Sequence, residues 1–414
     1  MNIFFSGIGG VGIGALAQLA QDAGHTVLGS DTSESLMTKA LIERDISVSI
    51  KQDGHHLKSA HKKTPIDWYV HTAALPEDHP ELVAAKHLGI KCTKRDELLK
   101  EIIAEKDLKL IAISGTHGKT TTTGMLVWAL QQLNVPVSYS VGTTLSFGPS
   151  GKYEPGSKYF VYECDEFDRN FLQFDPTLSL ITSIGYDHSD TYPSRDDYFA
   201  AFGQFLNQSG HTVGWQRDFA WLPSLPSNKL WQLQDEELVA TQLIGEHNRR
   251  NGTLVLKGLE YLDLPHTAEV LNSFPGTNRR FEKLAKNLYS DYGHHPTEIA
   301  ATLQLAGEIS SNVILVYQPH QNTRQYEVKP LYRDAFAAAT KVYWLPTYLS
   351  REDQSLPVLR PSELIEGVKN KGDIQLADLN DDLWETIEQH RMIGHLVLCM
   401  GAGSIDAWVR SHLS

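Results

Sequence analysis

The segment Gly115–Thr122 (Gly-Thr-His-Gly-Lys-Thr-Thr-Thr) carries the residue types best suited to bind a nucleotide phosphate. An apolar run, 108–113, precedes it, and a helix-forming run follows it. Successive backbone N–H groups in such a loop surround an anion, Lys119 can reach the β- and γ-phosphates, and Thr120 can ligate Mg²⁺. The motif departs from G-x-x-x-x-G-K-[ST] because Ile113 occupies the position of its first glycine. We therefore predict an ATP site of P-loop type that is not a standard Walker motif.

Acidic and histidine side chains follow two further apolar runs. Glu163 ends the run 160–163, and Asp187 and His188 follow the run that begins at Leu180. Taken singly, such residues are more often surface acids or histidines at the edge of a core. Downstream of a phosphate loop they predict a divalent-cation site, because phosphoryl transfer needs cations that neutralise charge between the β- and γ-oxygens. Their positions at the carboxyl ends of predicted strands agree, since open α/β sheets bind ligands there.

A second glycine-rich loop lies near the start of the chain. Gly7–Gly12 (Gly-Ile-Gly-Gly-Val-Gly) follows the strand-like run Ile3–Ser6, and Asp31 follows the next such run, Thr26–Ser30. This spacing is typical of a loop that binds a diphosphate at a helix N-terminus, with the acid able to reach a ribose hydroxyl. The pattern alone fits NAD, and a glycine turn needed only for strand–helix packing is the alternative. The loop thus indicates a diphosphate, but it does not say which nucleotide carries it.

The elements that must position these loops alternate along the chain. Short β-rich runs alternate with amphipathic helices, which favours parallel α/β layers. A third strand-then-glycine transition occurs where Leu396–Met400 enters Gly401. A helix-like stretch that ends at Lys106 and a cluster of turn-forming residues at 272–276 indicate boundaries. We predict three domains, residues 1–106, 107–274 and 275–414.

Composition and charge narrow the functional classes. The chain has 414 residues, 50 of them acidic and 37 basic, and a net charge of −13. Because it has no long Lys/Arg block, we expect no nucleic-acid partner. No apolar run approaches the roughly 20 residues that span a bilayer, so we expect no membrane insertion. The start has no basic leader, which argues against a signal peptide, and the cysteines are widely spaced, so we expect a cytoplasmic protein. These cysteines are Cys92, Cys164 and Cys399.

Eight motifs, in the order in which they occur, resemble those of the Mur ligases, a family of ATP-dependent carboxylate–amine ligases. The resemblance implies a Rossmann-like N-terminal domain that holds a UDP-sugar, a central P-loop ATPase domain of α/β type, and a Rossmann-like C-terminal domain that binds an amino acid. The motifs are Gly7–Gly12, Gly115–Thr120, Glu163–Asp168, Asp187–His188, Gly245–Asn251, Arg279–Glu282, Asp291–Glu298 and Gln318–His320 with Arg324.

The resemblance also implies a two-step reaction. The lactyl carboxylate of UDP-N-acetylmuramate attacks the γ-phosphate of ATP, and the amine of L-alanine then displaces phosphate from the acyl phosphate. Phosphorylation is needed because a carboxylate cannot expel oxide, and the protein mainly positions reactants and neutralises charge. ATP and Mg²⁺ are the implied cofactors, the substrates are the small-molecule partners, and the chain is expected to be a monomer or a weak homodimer in peptidoglycan precursor synthesis.

Residue by residue, the resemblance implies four groups of site residues. The UDP-sugar would contact Gly9, Gly10, Val11, Gly12, Asp31, His71, Thr72 and Arg95. ATP would contact Gly115, Thr116, His117, Gly118, Lys119, Thr120, Thr121, Asn248, Asn251, Arg280 and Asp291. Thr120, Glu163 and His188 would ligate Mg²⁺, and Tyr292, His294 and Arg324 would form the amino-acid pocket. The catalytic roles would fall to Lys119, Glu163, His188 and Arg280.

The sequence departs from the family pattern in several places. His320–Arg324 reads His-Gln-Asn-Thr-Arg where the family has His-Arg-Tyr-Thr-Arg, which removes an arginine able to clamp a carboxylate at two points. Ser290 replaces an acid, and the region between His188 and Gly245 is short. The segment Asp196–Gln208 contains no lysine, so we predict no carbamoylated lysine of the kind found in several relatives.

Three other interpretations stay open. A ligase of the same family that attaches a preformed tripeptide to the same sugar nucleotide is favoured by Gln321–Thr323, whereas Asp291–Gly293 and Glu163–Asp168 favour alanine addition. A catalytically inactive UDP-sugar or nucleotide sensor could keep the fold, since fold does not imply activity. An NAD-dependent oxidoreductase would explain only the first glycine loop.

Overall fold

The computed structural model describes residues 1–72, 75–188, 191–226, 229–350 and 352–413. The chain forms two compact α/β units. The first consists of Met1–Thr241 and Asn251–Phe274, and the second of Gln242–Arg250 and Pro275–Ser414. The first unit contains two sheets and the second contains one.

The first sheet has five strands in the order β3-β2-β1-β4-β5, and all four pairings are parallel. Connections wind in opposite directions on either side of β1, which creates a crevice at the carboxyl end of that strand. The strands are β1 (Asn2–Ser6), β2 (Thr26–Ser30), β3 (Ser47–Ser49), β4 (Trp68–His71) and β5 (Lys91–Lys94). The helices are α1 (Val11–Asp22), α2 (Leu36–Ile42), α3 (His55–Lys63), α4 (Pro80–His87) and α5 (Arg95–Glu105).

The second sheet has seven strands in the order β12-β11-β10-β6-β9-β7-β8, parallel except for the last pair. Its winding reverses at β6, the strand before the phosphate loop. The strands are β6 (Lys109–Ser114), β7 (Val137–Ser140), β8 (Gly151–Lys152), β9 (Tyr159–Glu163), β10 (Leu178–Ile181), β11 (Thr212–Trp215) and β12 (Leu230–Leu233). The helices are α6 (Lys119–Gln132), α7 (Arg195–Gln208), α8 (Gln216–Phe219), α9 (Glu246–Tyr261) and α10 (Glu269–Asn272).

The third sheet, in the second unit, has six strands in the order β13-β14-β18-β15-β16-β17, and only β13 is antiparallel to its neighbour. The strands are β13 (Glu282–Ala285), β14 (Leu288–Asp291), β15 (Val313–Tyr317), β16 (Lys341–Trp344), β17 (Ile374–Leu376) and β18 (Leu396–Met400). The helices are α11 (Pro296–Ile309), α12 (Asn322–Val328), α13 (Pro361–Leu364), α14 (Asp381–Met392) and α15 (Ile405–Ser411).

The two sheets of the first unit share one hydrophobic core. This core runs from Ile3 on β1 to Phe219 on α8. Helix α1 packs against β8, where the backbone N–H of Gly151 donates to Gln18 Oε1 at 3.2 Å. A side chain at Gly151 would overlap the backbone of Ala15, so glycine permits this close approach. The UDP-sugar loop predicted on the first sheet and the ATP loop predicted on the second therefore belong to one packed body.

The α/β class and its Rossmann-like sheets are confirmed. The strands expected at Thr26–Ser30 and Leu396–Met400 have those bounds, and the helix expected before Lys106 is α5. The first two strand-then-glycine transitions lie where a sheet reverses its winding, and the third follows β18, which lies between β14 and β15. The domain bounds 1–106, 107–274 and 275–414 stay a prediction. No helix among the described residues combines the length and apolar character needed to cross a membrane.

Candidate active site

The first glycine loop is held at its base by the end of β2. Gly7, with φ 79°, donates its N–H to the Ser30 carbonyl at 2.9 Å, and Ile8 donates to the same oxygen at 3.0 Å. The chain then enters α1, with Gly10 as the N-cap residue and Val11 as the first helical residue. The first-turn N–H groups of α1 lack carbonyl partners within the helix, so the loop ends at a helix terminus suited to an anion.

Side chains predicted to bind the UDP-sugar gather around this loop. Asp31 accepts a hydrogen bond from the Gly9 N–H at 2.7 Å, so its carboxylate fixes the loop. Arg95, the first residue of α5, lies over Gly12, where an added Cβ would overlap its guanidinium. Asp31 and Arg95 thus place opposite charges beside the same short loop.

His71 and Thr72 lie on the other side of the loop. His71 ends β4 and pairs in register with Ser6, the last residue of β1. Thr72 Cγ2 is 3.1 Å from the position that a Cβ on Gly7 would occupy. The ring nitrogen Nδ1 of His71 is 3.0 Å from the Thr72 carbonyl oxygen. The structure therefore brings the eight predicted UDP-sugar residues to one edge of the first sheet.

The phosphate loop depends on two glycines in the left-handed region. Gly115 has φ 132° and Gly118, the N-cap residue of α6, has φ 85°. A Cβ on Gly115 would lie 2.6 Å from the Ser183 carbonyl oxygen. Thr116 N–H donates to that oxygen at 3.0 Å, and His117 N–H donates to Ser183 Oγ at 3.0 Å. The segment after β10 thus fixes the shape of the loop, and the N-terminus of α6 faces its open end.

Lys119 is the largely buried cation of the phosphate loop, with a side chain that is 13% exposed. Its Nζ donates to the Gly115 carbonyl at 2.7 Å and to Glu166 Oε2 at 2.7 Å, and it lies 3.6 Å from Asp165 Oδ1. Burial alone would lower the pKa of Lys119, but the Glu166 and Asp165 carboxylates outweigh it and raise that pKa. Burial raises the pKa of Glu166, which is fully buried, and Lys119 opposes that rise. We therefore treat Lys119 and Glu166 as a buried ion pair.

The first part of the predicted cation site is formed by Thr120 and Glu163. Thr120 Oγ1 donates to Glu163 Oε1 at 2.7 Å, which joins the start of α6 to the end of β9. The other carboxylate oxygen of Glu163 accepts from the Gly142 N–H at 2.7 Å. A hydroxyl and a carboxylate at the carboxyl end of a sheet are ligand types that Mg²⁺ prefers.

His188, the third predicted ligand, lies with two other acids. Its Nε2 is 3.7 Å from Glu166 Oε1, and the ligand atoms of Asp165, Glu166 and His188 all lie within 4.8 Å of one another. The fully buried Oε1 of Glu166 has no hydrogen-bond partner among the described residues. A buried carboxylate oxygen without a hydrogen-bond partner, close to a histidine nitrogen, is suited to bind a cation. Since Asp165 lies in the same group, we add Asp165 and Glu166 to the candidate metal ligands.

Two predicted ATP-site asparagines fall in different units. Asn251, in the first unit, is buried, and its Oδ1 is 3.0 Å from the position of a Cβ on Gly118. Asn248, in the second unit, donates through Nδ2 to the Ile244 carbonyl at 3.0 Å. Thr121, also predicted to contact ATP, follows Thr120 in the first turn of α6.

In the second unit, Asp291 ends β14 beside the point where the third sheet reverses. Its carboxylate accepts from the N–H groups of Phe281 at 2.7 Å and Gly293 at 2.6 Å. Burial raises the pKa of Asp291 to about 6, although Arg280 opposes the rise. The guanidinium of Arg280 lies 5.3 Å from the centre of the Tyr292 ring. Asp291, Arg280 and Tyr292 therefore form one cluster.

His294 holds Arg324 in the predicted amino-acid pocket. Arg324 Nη1 lies 2.8 Å from His294 Nε2, and His294 Nδ1 lies 3.2 Å from the Tyr292 carbonyl oxygen. Burial lowers the pKa of His294 to about 4, so the ring is neutral at pH 7. In a neutral imidazole one ring nitrogen donates and the other accepts. Because Nδ1 of His294 donates to the Tyr292 carbonyl, Nε2 is left to accept the N–H of Arg324.

A carboxylate from a distant loop fixes the start of α12, which carries Arg324. Glu352 accepts from Asn322 N–H at 2.9 Å and from Thr323 N–H at 3.1 Å. Gln321, where the family has arginine, is the N-cap residue with φ 61°, and its N–H donates to the Tyr348 carbonyl at 2.9 Å. Glu352 thereby supplies the cap that the Gln321 side chain does not.

Sequence reasoning missed three of these functional candidates. Asp165 and Glu166 lie inside the quoted Glu163–Asp168 motif, so a signal existed, but no role was assigned to them. No sequence pattern pointed to Glu352, because only folding of the loop that carries it brings its carboxylate to the start of α12.

Comparison with known proteins places the chain in a family. A family model described as "Mur ligase family, catalytic domain" matches residues 2–107, and one described as "Mur ligase middle domain" matches residues 113–219. The UDP-N-acetylmuramate–L-alanine ligase of Caldicellulosiruptor saccharolyticus is 32% identical, over 98% of this chain and 97% of that protein. The protein of the same name from Lachnospira eligens is 31% identical, over 98% and 96%. The chain belongs to the Mur ligase family, and it is an ATP-dependent ligase rather than an oxidoreductase.

Solved structures share the fold. A UDP-N-acetylmuramate-alanine ligase from Thermotoga maritima superposes with a TM-score of 0.79 at 24% identity, over 100% of this chain and 98% of that one. A murein peptide ligase from Psychrobacter arcticus gives a TM-score of 0.69 at 21% identity, with the same coverage.

The buried Lys119–Glu166 pair predicts a stability effect. Lys119→Met removes the cation and leaves the Glu166 carboxylate buried, which costs about 3–5 kcal/mol when a buried pair is broken. In the wild type, burial raises the pKa of Glu166 to about 8 although Lys119 opposes the rise, and loss of that ammonium raises the pKa further. The loss is therefore small below about pH 8, where the carboxyl is protonated in both folded proteins, and grows as pH rises above the folded pKa of the wild type. Urea denaturation between pH 6 and 10 measures it.

Two further variants make this measurement specific. Adding Glu166→Gln to Lys119→Met should recover most of the stability, because no buried charge remains. Lys94→Met removes a half-exposed ion pair with Asp168 on the same unit and should cost less than about 1 kcal/mol. An equal loss in Lys119→Met and Lys94→Met at pH 10 would contradict the buried pair.

Proposed function

We propose that this chain joins the lactyl carboxylate of UDP-N-acetylmuramate to L-alanine through an acyl phosphate, with conversion of ATP to ADP and phosphate. The observation that carries the proposal is that the acidic motif Glu163–Asp168 contacts both predicted phosphate sites. Lys94, at the start of the helix that carries Arg95, donates to Asp168 Oδ2 at 2.8 Å, and Asp165 Oδ1 lies 3.6 Å from Lys119 Nζ. Burial raises the pKa of Asp165, but Lys119, His188 and Arg95 together lower it. A sugar diphosphate at one loop and a γ-phosphate at the other would thus lie close together in one compact unit.

In the first step, a lactyl oxygen attacks the γ-phosphorus and ADP leaves. The N-terminus of α6 binds phosphate oxygens through its N–H groups, and Lys119 binds the γ-phosphoryl group, where negative charge is concentrated. Glu166 keeps the ammonium of Lys119 charged and in place. Thr120 and Glu163 would hold one Mg²⁺, and His188 with Asp165 and Glu166 a second. When bound, these ions neutralise charge on the phosphate oxygens.

In the second step, the amine of the amino acid attacks the acyl carbon, phosphate leaves, and the nitrogen loses a proton. Arg324 is the cation that we assign to the amino-acid carboxylate, because a planar guanidinium orients it through two hydrogen bonds. His294 fixes that guanidinium, and Glu352 fixes the helix that carries it. Tyr292 lines the same cluster.

The remaining assignments rest on motif similarity. Asn248, Asn251, Arg280 and Asp291 are proposed to contact ATP, and the residues around Gly9–Gly12 the UDP-sugar. We propose Mg²⁺ as the cation, the cytoplasm as the location, and a monomer or weak homodimer as the assembly.

A second candidate function is attachment of a tripeptide to the same sugar nucleotide. The segment Gln321–Thr323 favours it, since the arginine of the alanine-adding pattern is absent. The curated relatives named above, at 32% and 31% identity, both carry the alanine-adding name and support the first function.

Phosphate release separates these functions. With UDP-N-acetylmuramate, ATP and Mg²⁺ present, we expect L-alanine to give faster release than L-serine, glycine or the tripeptide L-alanyl-γ-D-glutamyl-meso-diaminopimelate. Mass spectrometry should show an amide product in proportion to phosphate. A preference for the tripeptide would establish the recycling activity, and no release with any amine would indicate the inactive sensor.

The cation site gives a second prediction. His188→Ala should lower the rate at limiting Mg²⁺ by about tenfold or more, with partial recovery at high Mg²⁺, because a ligand is lost rather than the phosphate loop. Electron paramagnetic resonance with Mn²⁺ should show one fewer bound ion per chain. His87→Ala, an exposed histidine at the end of α4, is the matched control. Unchanged ion stoichiometry together with a loss independent of Mg²⁺ would make His188 a structural residue.

The missing arginine gives a third prediction. With Gln321 in its place, we expect a raised KM for L-alanine and little loss of turnover at saturation. Gln321→Arg should lower that KM about tenfold if it recovers about 1.4 kcal/mol. Both side chains are unbranched at Cβ, so the exchange adds no new cost at the positive φ of this position.

Arg324→Lys is the companion variant. It should raise the KM for L-alanine and leave the KM for ATP unchanged, because lysine cannot copy the planar guanidinium. If Gln321→Arg instead weakens alanine addition, the pocket is built for another amine.

A further inference from the structure

Glu81 is a buried carboxylate that the proposed reaction does not use. It lies in the first turn of α4 and is fully buried, next to an apolar cluster that includes Phe4, Leu57 and Leu82. Among the described residues, no cation pairs with it. Burial raises the pKa of Glu81, and hydrogen bonds from two serines oppose the rise. A buried carboxylate costs several kcal/mol unless it is well bonded, so its partners show what it stabilises.

Both partners are the final residues of strands beneath the first glycine loop. Glu81 Oε2 accepts from Ser6 Oγ at 2.6 Å and from Ser30 Oγ at 2.7 Å. Ser6 ends β1 and Ser30 ends β2, and the two residues pair in register. Gln52 Nε2 donates to Ser6 Oγ at 3.0 Å, so that oxygen accepts one hydrogen bond while its hydrogen points at Glu81.

These strand ends carry the loop directly. Ser6 precedes Gly7, and Ser30 precedes Asp31, whose carboxylate accepts from the Gly9 N–H. The Ser30 carbonyl accepts the N–H groups of Gly7 and Ile8. One carboxylate oxygen therefore joins the two strands at the point where both the loop and its acidic anchor begin.

We propose that Glu81 is a positioning residue for the diphosphate-binding loop, which it fixes through the hydroxyls of Ser6 and Ser30. The inference rests on the proposed function, since it takes the Gly7–Gly12 loop as the UDP-sugar site. Glu81 touches neither substrate nor metal; it reduces the freedom of two strand ends before ligand binds. Its loss should therefore weaken UDP-sugar binding without changing the phosphate loop, which follows a different strand.

Steady-state kinetics on a set of variants tests this. Glu81→Leu, which removes the carboxylate oxygen that accepts from both serines, should raise the KM for UDP-N-acetylmuramate at least tenfold and leave the KM for ATP within twofold. Glu81→Gln keeps a carbonyl oxygen that can accept both hydroxyls, so it should recover much of the affinity. Adding Ser6→Ala and Ser30→Ala to Glu81→Leu should have little further effect, because one hydrogen-bonded unit is already broken.

Two controls separate positioning from general destabilisation. Leu57→Ala opens a cavity in the neighbouring apolar cluster without touching the serines, and should lower Tm but leave the KM for UDP-N-acetylmuramate unchanged at 25 °C. If turnover is too slow for steady-state kinetics, isothermal titration calorimetry measures the affinity for UDP-N-acetylmuramate directly. Equal affinity in Glu81→Leu and the wild type, or an equal loss in Leu57→Ala, overturns the inference. Failure of the wild type itself to bind UDP-N-acetylmuramate would overturn the proposed function instead.

Discussion

The first two sheets reverse their winding at β1 and β6, the third sheet has β18 between β14 and β15, and a glycine follows each of these three strands. Gly7 follows β1 at φ 79°, Gly115 follows β6 at φ 132°, and Gly401 follows β18 at φ 153°. At Gly401 an added Cβ would lie 2.7 Å from the Gln318 carbonyl oxygen on the neighbouring strand. The chain turns sharply after β1 and β6 because helices lie on opposite faces of the sheet to either side of these strands. Both turns lead into a helix N-terminus, whose first-turn N–H groups lack carbonyl partners within the helix, and the predicted phosphate sites lie there.

This constraint explains what the sequence could predict. The strands, the three glycine turns and the helix starts are local patterns, so Thr26–Ser30 and Leu396–Met400 were predicted to the residue. The residues at the carboxyl ends of parallel strands could also be predicted to gather, as Glu163 and Thr120 do. The motif resemblance added the family, which comparison with known proteins confirms.

Partners set by the fold could not be predicted. Lys119 and Glu166 are 47 residues apart, and Arg324 and His294 are 30 apart, so their pairing depends on strand order and register. The sequence suggested a ribose contact for Asp31, but it did not show that the carboxylate binds Gly9 N–H. The cap that Glu352 provides for α12 could not be predicted either, because the local sequence around Gln321 contains no indication of an acid so far along the chain.

A buried carboxylate lies beside each of the three glycine turns, and the hydrogen-bond donors that offset the cost of burying it differ from one to the next. Glu81 is held by two hydroxyls, Glu166 by an ammonium, and Asp291 by two backbone N–H groups. Glu81 joins the ends of β1 and β2, Glu166 holds the residue that begins α6, and Asp291 joins Phe281 to Gly293. Hydroxyls and backbone amides carry no net charge, whereas the ammonium of Lys119 is also the group that we propose to bind the γ-phosphate. On that proposal, changing Glu166 alters charge beside the γ-phosphate, while changing Glu81 alters the hydrogen bonds that hold the first loop.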